Sequence, residues 1–320
     1  MSLRSQYNYI PPKLSSTSGE RKNRMDVNLF FSQLVNGLQL GSIYALIALG
    51  YSMVYGIIRL LNFAHGDVIM VGGYIALFSL GTGINPVFSA VLAIAGCVFL
   101  AVLIYRGAYA PLGSNAPRIS LLITAIGVSM LLQNLAQLFF SASAHSFPAN
   151  NMIPLVNYSV GGINISLASI MTIVIAVASM FGLTMLVQKT KTGKAMLAVS
   201  EDTEAAQLMG VNVRSIIMFT FAIGAALAGI GAILYSVRFP LISPTMGALP
   251  GLKAFIAAVL GGIGSIPGAM IGGFAIGLFE VLVNALGLSA WTDGIVFGIL
   301  IVVLLVRPTG FMGESMLEKV

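Results

Sequence analysis

The chain has 320 residues, 58% of them hydrophobic and only 8% charged, with a formal net charge of +6, against roughly 45–50% and about 25% in soluble domains. A mean hydropathy of +0.97 excludes a water-exposed globule and leaves an all-α polytopic membrane protein, because lipid offers the backbone no hydrogen-bond partners; a β-barrel would need short alternating segments instead of long apolar runs. The positive charge does not signal nucleic acid, since five of the sixteen basic residues precede Met25 and most others lie between apolar runs, as the positive-inside rule distributes them.

Residues 1–25 read as a disordered basic tail (Arg4, Lys13, Arg21, Lys22, Arg24, with Pro11-Pro12), too polar to bury. The membrane domain follows over 26–310, and a short tail over 311–320. Apolar segments long enough to cross about 30 Å of hydrocarbon fall at 29–57, 63–82, 87–105, 119–141, 167–187, 215–236 and 290–306, with a further stretch at 250–286 broken by Gly261-Gly262-Ile263-Gly264-Ser265-Ile266-Pro267-Gly268. About eight transmembrane helices are expected, at least one of them broken by Gly and Pro. Loop charge places 106–118 and 188–214 in the cytoplasm and the Lys/Arg-free loop 142–166 outside. A cytoplasmic N-terminus is expected too, which requires an extra crossing within 29–82.

In chain order, the first polar group within an apolar run is Asn62-Phe63-Ala64-His65-Gly66-Asp67. Ionisable groups at membrane depth mark transport paths, so Asn62, His65 and Asp67 are candidates for the translocation pathway; the alternative is a helix cap or a pair with Arg59. Gln133, Asn134 and Gln137 read as interhelical hydrogen-bonding groups. Cys97 reads as a buried structural thiol.

Within 188–214 the chain writes Glu204-Ala205-Ala206, three residues and Gly210. Asp202 or Thr203 can cap a helix there, and Gly210 with Asn212 suits its end. Such a helix is marginal alone and needs a surface, so Glu204, Ala205, Ala206 and Gly210 are candidates for docking a soluble partner; the alternative is a plain amphipathic linker.

Toward the C-terminus, Gly264, Gly268 and Gly272 fall at four-residue spacing and allow close helix approach. Pro267 favours a break. Gly264 and Gly268 are therefore both packing and pathway candidates. Glu280 lies within an apolar run with no partner evident from sequence, and Asp293 reads as interfacial. There is no nucleotide-binding G-x-x-x-x-G-K-[ST] motif and no cluster of metal ligands, so neither a catalytic nor a metal site is expected.

The Glu-Ala-Ala-x-x-x-Gly segment resembles the coupling loop of ABC-importer permeases, although the Ile-x-Leu-Pro ending of the maltose-type branch does not follow Gly210. The run Leu40-Gly41-Ser42-Ile43-Tyr44-Ala45-Leu46-Ile47-Ala48-Leu49-Gly50-Tyr51, the Asn62–Asp67 segment, Lys253-Ala254-Phe255, Leu260 through Ala269, Arg307-Pro308-Thr309-Gly310 and Leu317-Glu318-Lys319-Val320 resemble the branched-chain amino acid permease family, and its H-type branch in particular. The resemblance covers the chain from about Met25 onward, so residues 1–24 look like an extension or a misplaced start.

It implies an ABC-importer permease fold in the bacterial inner membrane. It also implies a sister M-type permease, two cytoplasmic ABC ATPases that use ATP and Mg, and a periplasmic amino-acid-binding protein as partners, with no cofactor held by this chain. The implied cargo is branched-chain amino acids. The alternatives are urea or short amides carried by the same architecture, or an ion-coupled secondary carrier relying on His65, Asp67 and Glu280.

Overall fold

The computed structural model describes residues 17–58, 62–113, 116–154, 156–160, 163–307 and 309–313. The tail through residue 16, Arg59, Pro308 and the 314–320 end lie outside the described residues. Twelve α-helices follow in order among those described: α1 (Thr17–Ile58), α2 (His65–Gly81), α3 (Pro86–Ile104), α4 (Arg118–Phe140), α5 (Ala149–Met152), α6 (Leu167–Lys189), α7 (Lys191–Glu201), α8 (Thr203–Leu208), α9 (Val213–Arg238), α10 (Ala248–Gly261), α11 (Ile266–Ala285) and α12 (Thr292–Val306). Four short strands make two two-stranded pairs: β1 (His145–Ser146) with β4 (Leu241–Ile242), and β2 (Asn157–Val160) with β3 (Ile163–Ser166), both antiparallel.

Seven helices among the described residues are long and apolar enough to cross a membrane. The expected spans 29–57, 87–105, 119–141, 167–187, 215–236 and 290–306 each correspond to one of them. The 250–286 stretch divides as expected, into α10 and α11 joined at Gly262–Ser265. The expected span 63–82 is the 17-residue α2, which at 1.5 Å per residue reaches about 25 Å, and the 14-residue α10 reaches about 21 Å. Both fall short of the hydrocarbon thickness of about 30 Å.

Helices α1, α9 and α11 form the centre, while α3, α4, α6 and α12 turn most of their surface outward. Apolar side chains alone cannot drive this packing in lipid; close approach through small residues can. A Cβ on Gly277 would strike the Gly41 backbone, one on Gly273 would strike Ala45, and one on Gly272 or Gly268 would strike Ala257 or Gly261 of α10. Gly268 and Gly272 thus share a packing face as their spacing suggests. Gly264 does not join it: it lies in the link before α11 at φ +94°, where its N–H donates to Ser52 Oγ (3.0 Å). Gly277→Ala should destabilise the chain by about 1–3 kcal/mol, as overpacking does, whereas Gly127→Ala, with nothing within 4 Å, should not; thermal unfolding of the purified chain in detergent compares the two.

The N-terminal side departs from expectation. Gly37 of α1 lies on Leu278 and Gly56 on Gly264, so α1 runs antiparallel to α11. Gln39 Oε1 accepts from Ser169 Oγ (2.9 Å), in the first turns of α6, whose far end leads into α7. The chain therefore enters α1 on the face opposite α7 and α8. The extra crossing that would have brought it to their side does not occur, because residues 17–58 form one continuous helix.

Candidate functional site

The segment between α6 and α9 is a rigid bracket. Thr190 Oγ1 accepts from Gly193 N (2.9 Å) and donates to the Leu186 carbonyl. That turn is tight enough that a Cβ on Gly193 would strike the Leu186 and Val187 carbonyls. Met196 and Val199 of α7 are fully buried, with α7 packed on α1 and α9.

Asp202 then caps α8, its Oδ1 accepting from the N–H groups of Glu204 and Ala205 (both 2.9 Å). Such a cap satisfies donors that a one-turn helix cannot satisfy itself. At the other end Val211 N donates to Ala206 O and Gly210 N to Gln207 O (both 3.0 Å), with Gly210 at φ +83°. That is the left-handed helix stop for which glycine is favoured. Asn212 Oδ1 caps α9 by accepting from Ser215 N (3.1 Å).

Only Ala206 of the expected small face turns inward. Glu204, Ala205 and Gly210 are exposed, and no atom lies within 4 Å of a Cβ built on Gly210. Beside them stand Leu208 and Met209, 89% and 85% exposed. Sequence reading passed over this pair; the available signal was two adjacent large apolar residues between Gln207 and the helix-stopping Gly210.

The Asn62–Asp67 group assembles where two short helices begin. A Cβ on Gly66 at the start of α2 or on Gly247 just before α10 would strike the other's carbonyl region, so both helix N-termini meet inside the bundle. Asn62 Oδ1 accepts from Tyr109 OH (3.0 Å). Tyr109 is presented by a single π-helical turn, Tyr105–Tyr109, that extends α3, and both tyrosines pack on Phe221 of α9.

His65 lies under the Tyr51 ring (4.6 Å between centroids), against Gly50 of α1. Asp67, buried in the first turn of α2, accepts from Gln133 Nε2 of α4 (2.9 Å). The helix dipole and the amide of Gln133 offset part of the cost of burying a carboxylate there. The three side chains thus each meet a partner on a different helix, Tyr109, Tyr51 and Gln133, and all three are at most 5% exposed.

Glu280 finds the partners that could not be read from sequence. Its Oε1 accepts from Lys253 Nζ of α10 (2.9 Å) and its Oε2 from Tyr44 OH of α1 (2.9 Å). The same Nζ lies 2.8 Å from Asp293 Oδ1 at the start of α12. Lys253 and Glu280 between them tie four helices, with these two residues buried and Asp293 half-exposed. Gly264 and Gly268, by contrast, stand at the α10–α11 link, apart from this network.

Comparison with known proteins bears on most of the chain. A family profile described as "Branched-chain amino acid transport system / permease component" matches residues 33–305. The high-affinity branched-chain amino acid transport system permease protein BraD of Pseudomonas aeruginosa is 42% identical over 304 residues, covering 91% of this chain and 98% of that protein. The corresponding LivH of Escherichia coli is 41% identical over 307 residues, again 91% and 98%. Among solved structures, PsaBC from Streptococcus pneumoniae in complex with Fab is similar with a TM-score of 0.50 and 12% identity, over 92% of this chain and 96% of that one; at that identity the likeness concerns the fold alone.

Proposed function

The chain belongs to the branched-chain amino acid transport system permease family, and from that premise we propose that it is the membrane subunit of an ATP-driven importer that carries leucine, isoleucine and valine across a bacterial inner membrane. Its partners in this reading are a sister M-type permease, two cytoplasmic ABC ATPases holding ATP and Mg, and a periplasmic binding protein that delivers the amino acid. The observation that carries the coupling part is the α7–α8 bracket: α7, packed on α1 and α9, carries the doubly capped α8, which holds Leu208, Met209 and Gly210 clear of the protein.

A partner that moves this helix moves α9 with it, because Val211 N donates to Ala206 O of α8 and Asn212, the next residue, caps α9. Coupling requires a contact whose free energy differs between two states. A bracket transmits such a difference; a flexible linker would absorb it. In the same reading α2 and α10, whose N-termini meet at Gly66 and Gly247, are the half-helices beside the cargo route. Asn62, His65 and Asp67 stand at their joint, Glu280 with Lys253 further along, and Gly264 and Gly268 at the α10–α11 link. Discontinuous helices meeting within a bundle recur at transport sites.

The test of the reading is uptake of radiolabelled leucine by proteoliposomes. The chain reconstituted with its sister permease, ATPases and binding protein should transport only with ATP. Transport by the chain alone under an ion gradient would overturn the proposal. Gly210→Val should reduce ATP-driven uptake by about tenfold or more while the complex still assembles. A β-branched residue is strained at this left-handed position, by about 1–2 kcal/mol for an ordinary side chain, and relief of that strain would turn the tip of α8. Full uptake with normal coupling would refute the role of Gly210.

A further inference from the structure

On the face opposite α7 and α8 a cleft of about 550 Å³ lies between α2, α3 and α4. Tyr74 and Phe78 of α2, Leu92 of α3, and Leu135, Ala136 and Phe140 of α4 are among its walls. Phe140 stacks on Tyr74 at 4.6 Å. Besides Gln133 on Asp67 and Ala125, which is fully buried in the main core, α4 meets α2 through this aromatic group, and the cleft lies in the gap beside it.

Three observations bear on what occupies it. The walls are almost wholly apolar, with no charged side chain among them, so a zwitterion would find no ionic partner. The cleft adjoins a band of outward-facing apolar side chains on α3 and α4, including Phe88, Leu138 and Phe139, each more than 70% exposed, a surface suited to membrane hydrocarbon. Tyr74 OH is buried and has no hydrogen-bond partner among the described residues, which is unfavourable for a phenol unless an acceptor reaches it.

A second cavity of about 650 Å³ shares Phe78, Phe139 and Phe140 with the first and is edged by Ser141 and His145. Polar groups therefore adjoin the apolar slot at one end.

We propose that this cleft is a phospholipid site: one acyl chain fills the space between α2, α3 and α4, its ester carbonyl accepts the Tyr74 hydroxyl, and the headgroup lies toward Ser141 and His145. A phospholipid is the membrane component that joins a long apolar chain to a hydrogen-bond acceptor and a polar end in that order. The bound chain would seat α4 against α2, steadying the Gln133–Asp67 contact.

Native mass spectrometry of the full chain purified in mild detergent, then delipidated and titrated, tests this. The wild type should retain phospholipid through purification and rebind an ester-linked phosphatidylethanolamine. Leu135→Trp, which fills the slot, should lose most of that binding. Tyr74→Phe should weaken the ester lipid about fivefold, the size of one net hydrogen bond, yet leave binding of the dialkyl ether analogue unchanged. Equal retention by wild type and Leu135→Trp would overturn the proposal. So would displacement of the lipid by leucine, which would assign the cleft to cargo, or quantitative cross-linking of Leu135→Cys to the sister permease, which would assign it to protein.

Discussion

Replacing Leu208 and Met209 together by aspartate should cut ATP-driven leucine uptake by about tenfold or more, each tenfold step corresponding to about 1.4 kcal/mol, while the chain reaches the membrane at wild-type level. Neither side chain supports the fold: they are 89% and 85% exposed at the tip of α8, and substitutions at such surfaces are usually within about 0.5 kcal/mol of neutral. Docked in a partner's cleft the balance reverses. Burying a leucine-sized side chain contributes about 1.5–3 kcal/mol, which the variant forfeits, and each new carboxylate would have to be desolvated without a counter-charge. Uptake together with the ATPase rate in the assembled complex reads the effect. Wild-type uptake by this variant would remove the α8 tip from the coupling interface.

Lys253→Met should destabilise the chain by about 3–5 kcal/mol, the range for breaking a buried ion pair from one side. The variant strands Glu280, which keeps Tyr44 as a donor but loses its cation. Asp293 suffers less because its side chain is half-exposed. Adding Glu280→Gln should recover most of the loss: the neutral amide still offers Tyr44 an oxygen and no longer leaves a buried charge. Thermal unfolding of the two single variants and the double variant gives the coupling directly. If Lys253→Met unfolds at the wild-type temperature, the four-helix tie does not hold the bundle together.

How far the residues alone could lead varied with the range of the interactions. The helix over Thr203–Leu208 was legible because its caps are local: Asp202 is followed within three residues by the N–H groups it satisfies, and Gly210 supplies the stop. The division of 250–286 was legible for the same reason, since Ser265 caps α11 at Gly268 and Pro267 occupies the first turn, where proline is tolerated. Leu208 and Met209 were missed because their exposure follows from how α7 is braced.

The shortness of α2 and α10 was also hidden. Hydropathy counts apolar residues and does not register where two helix N-termini meet, as they do at Gly66 and Gly247. Equally, a positive-charge count at the N-terminus cannot overrule a helix that continues unbroken from Thr17 to Ile58.

Sequence by itself therefore determined the membrane class, nearly every span, the break at Gly262–Ser265 and the capped helix at Thr203–Leu208, because composition and contacts within four residues decide them. Tertiary structure alone decided the side on which α1 begins, the pairing of Glu280 with Lys253 and Tyr44, the union of Asn62 with Tyr109 and of Asp67 with Gln133, and which small residues are buried. These contacts join positions 27 to 236 residues apart. Helices apolar on every side carry no stripe to announce which face turns inward; only the fit of glycine against backbone and of each buried polar group to its partner selects it.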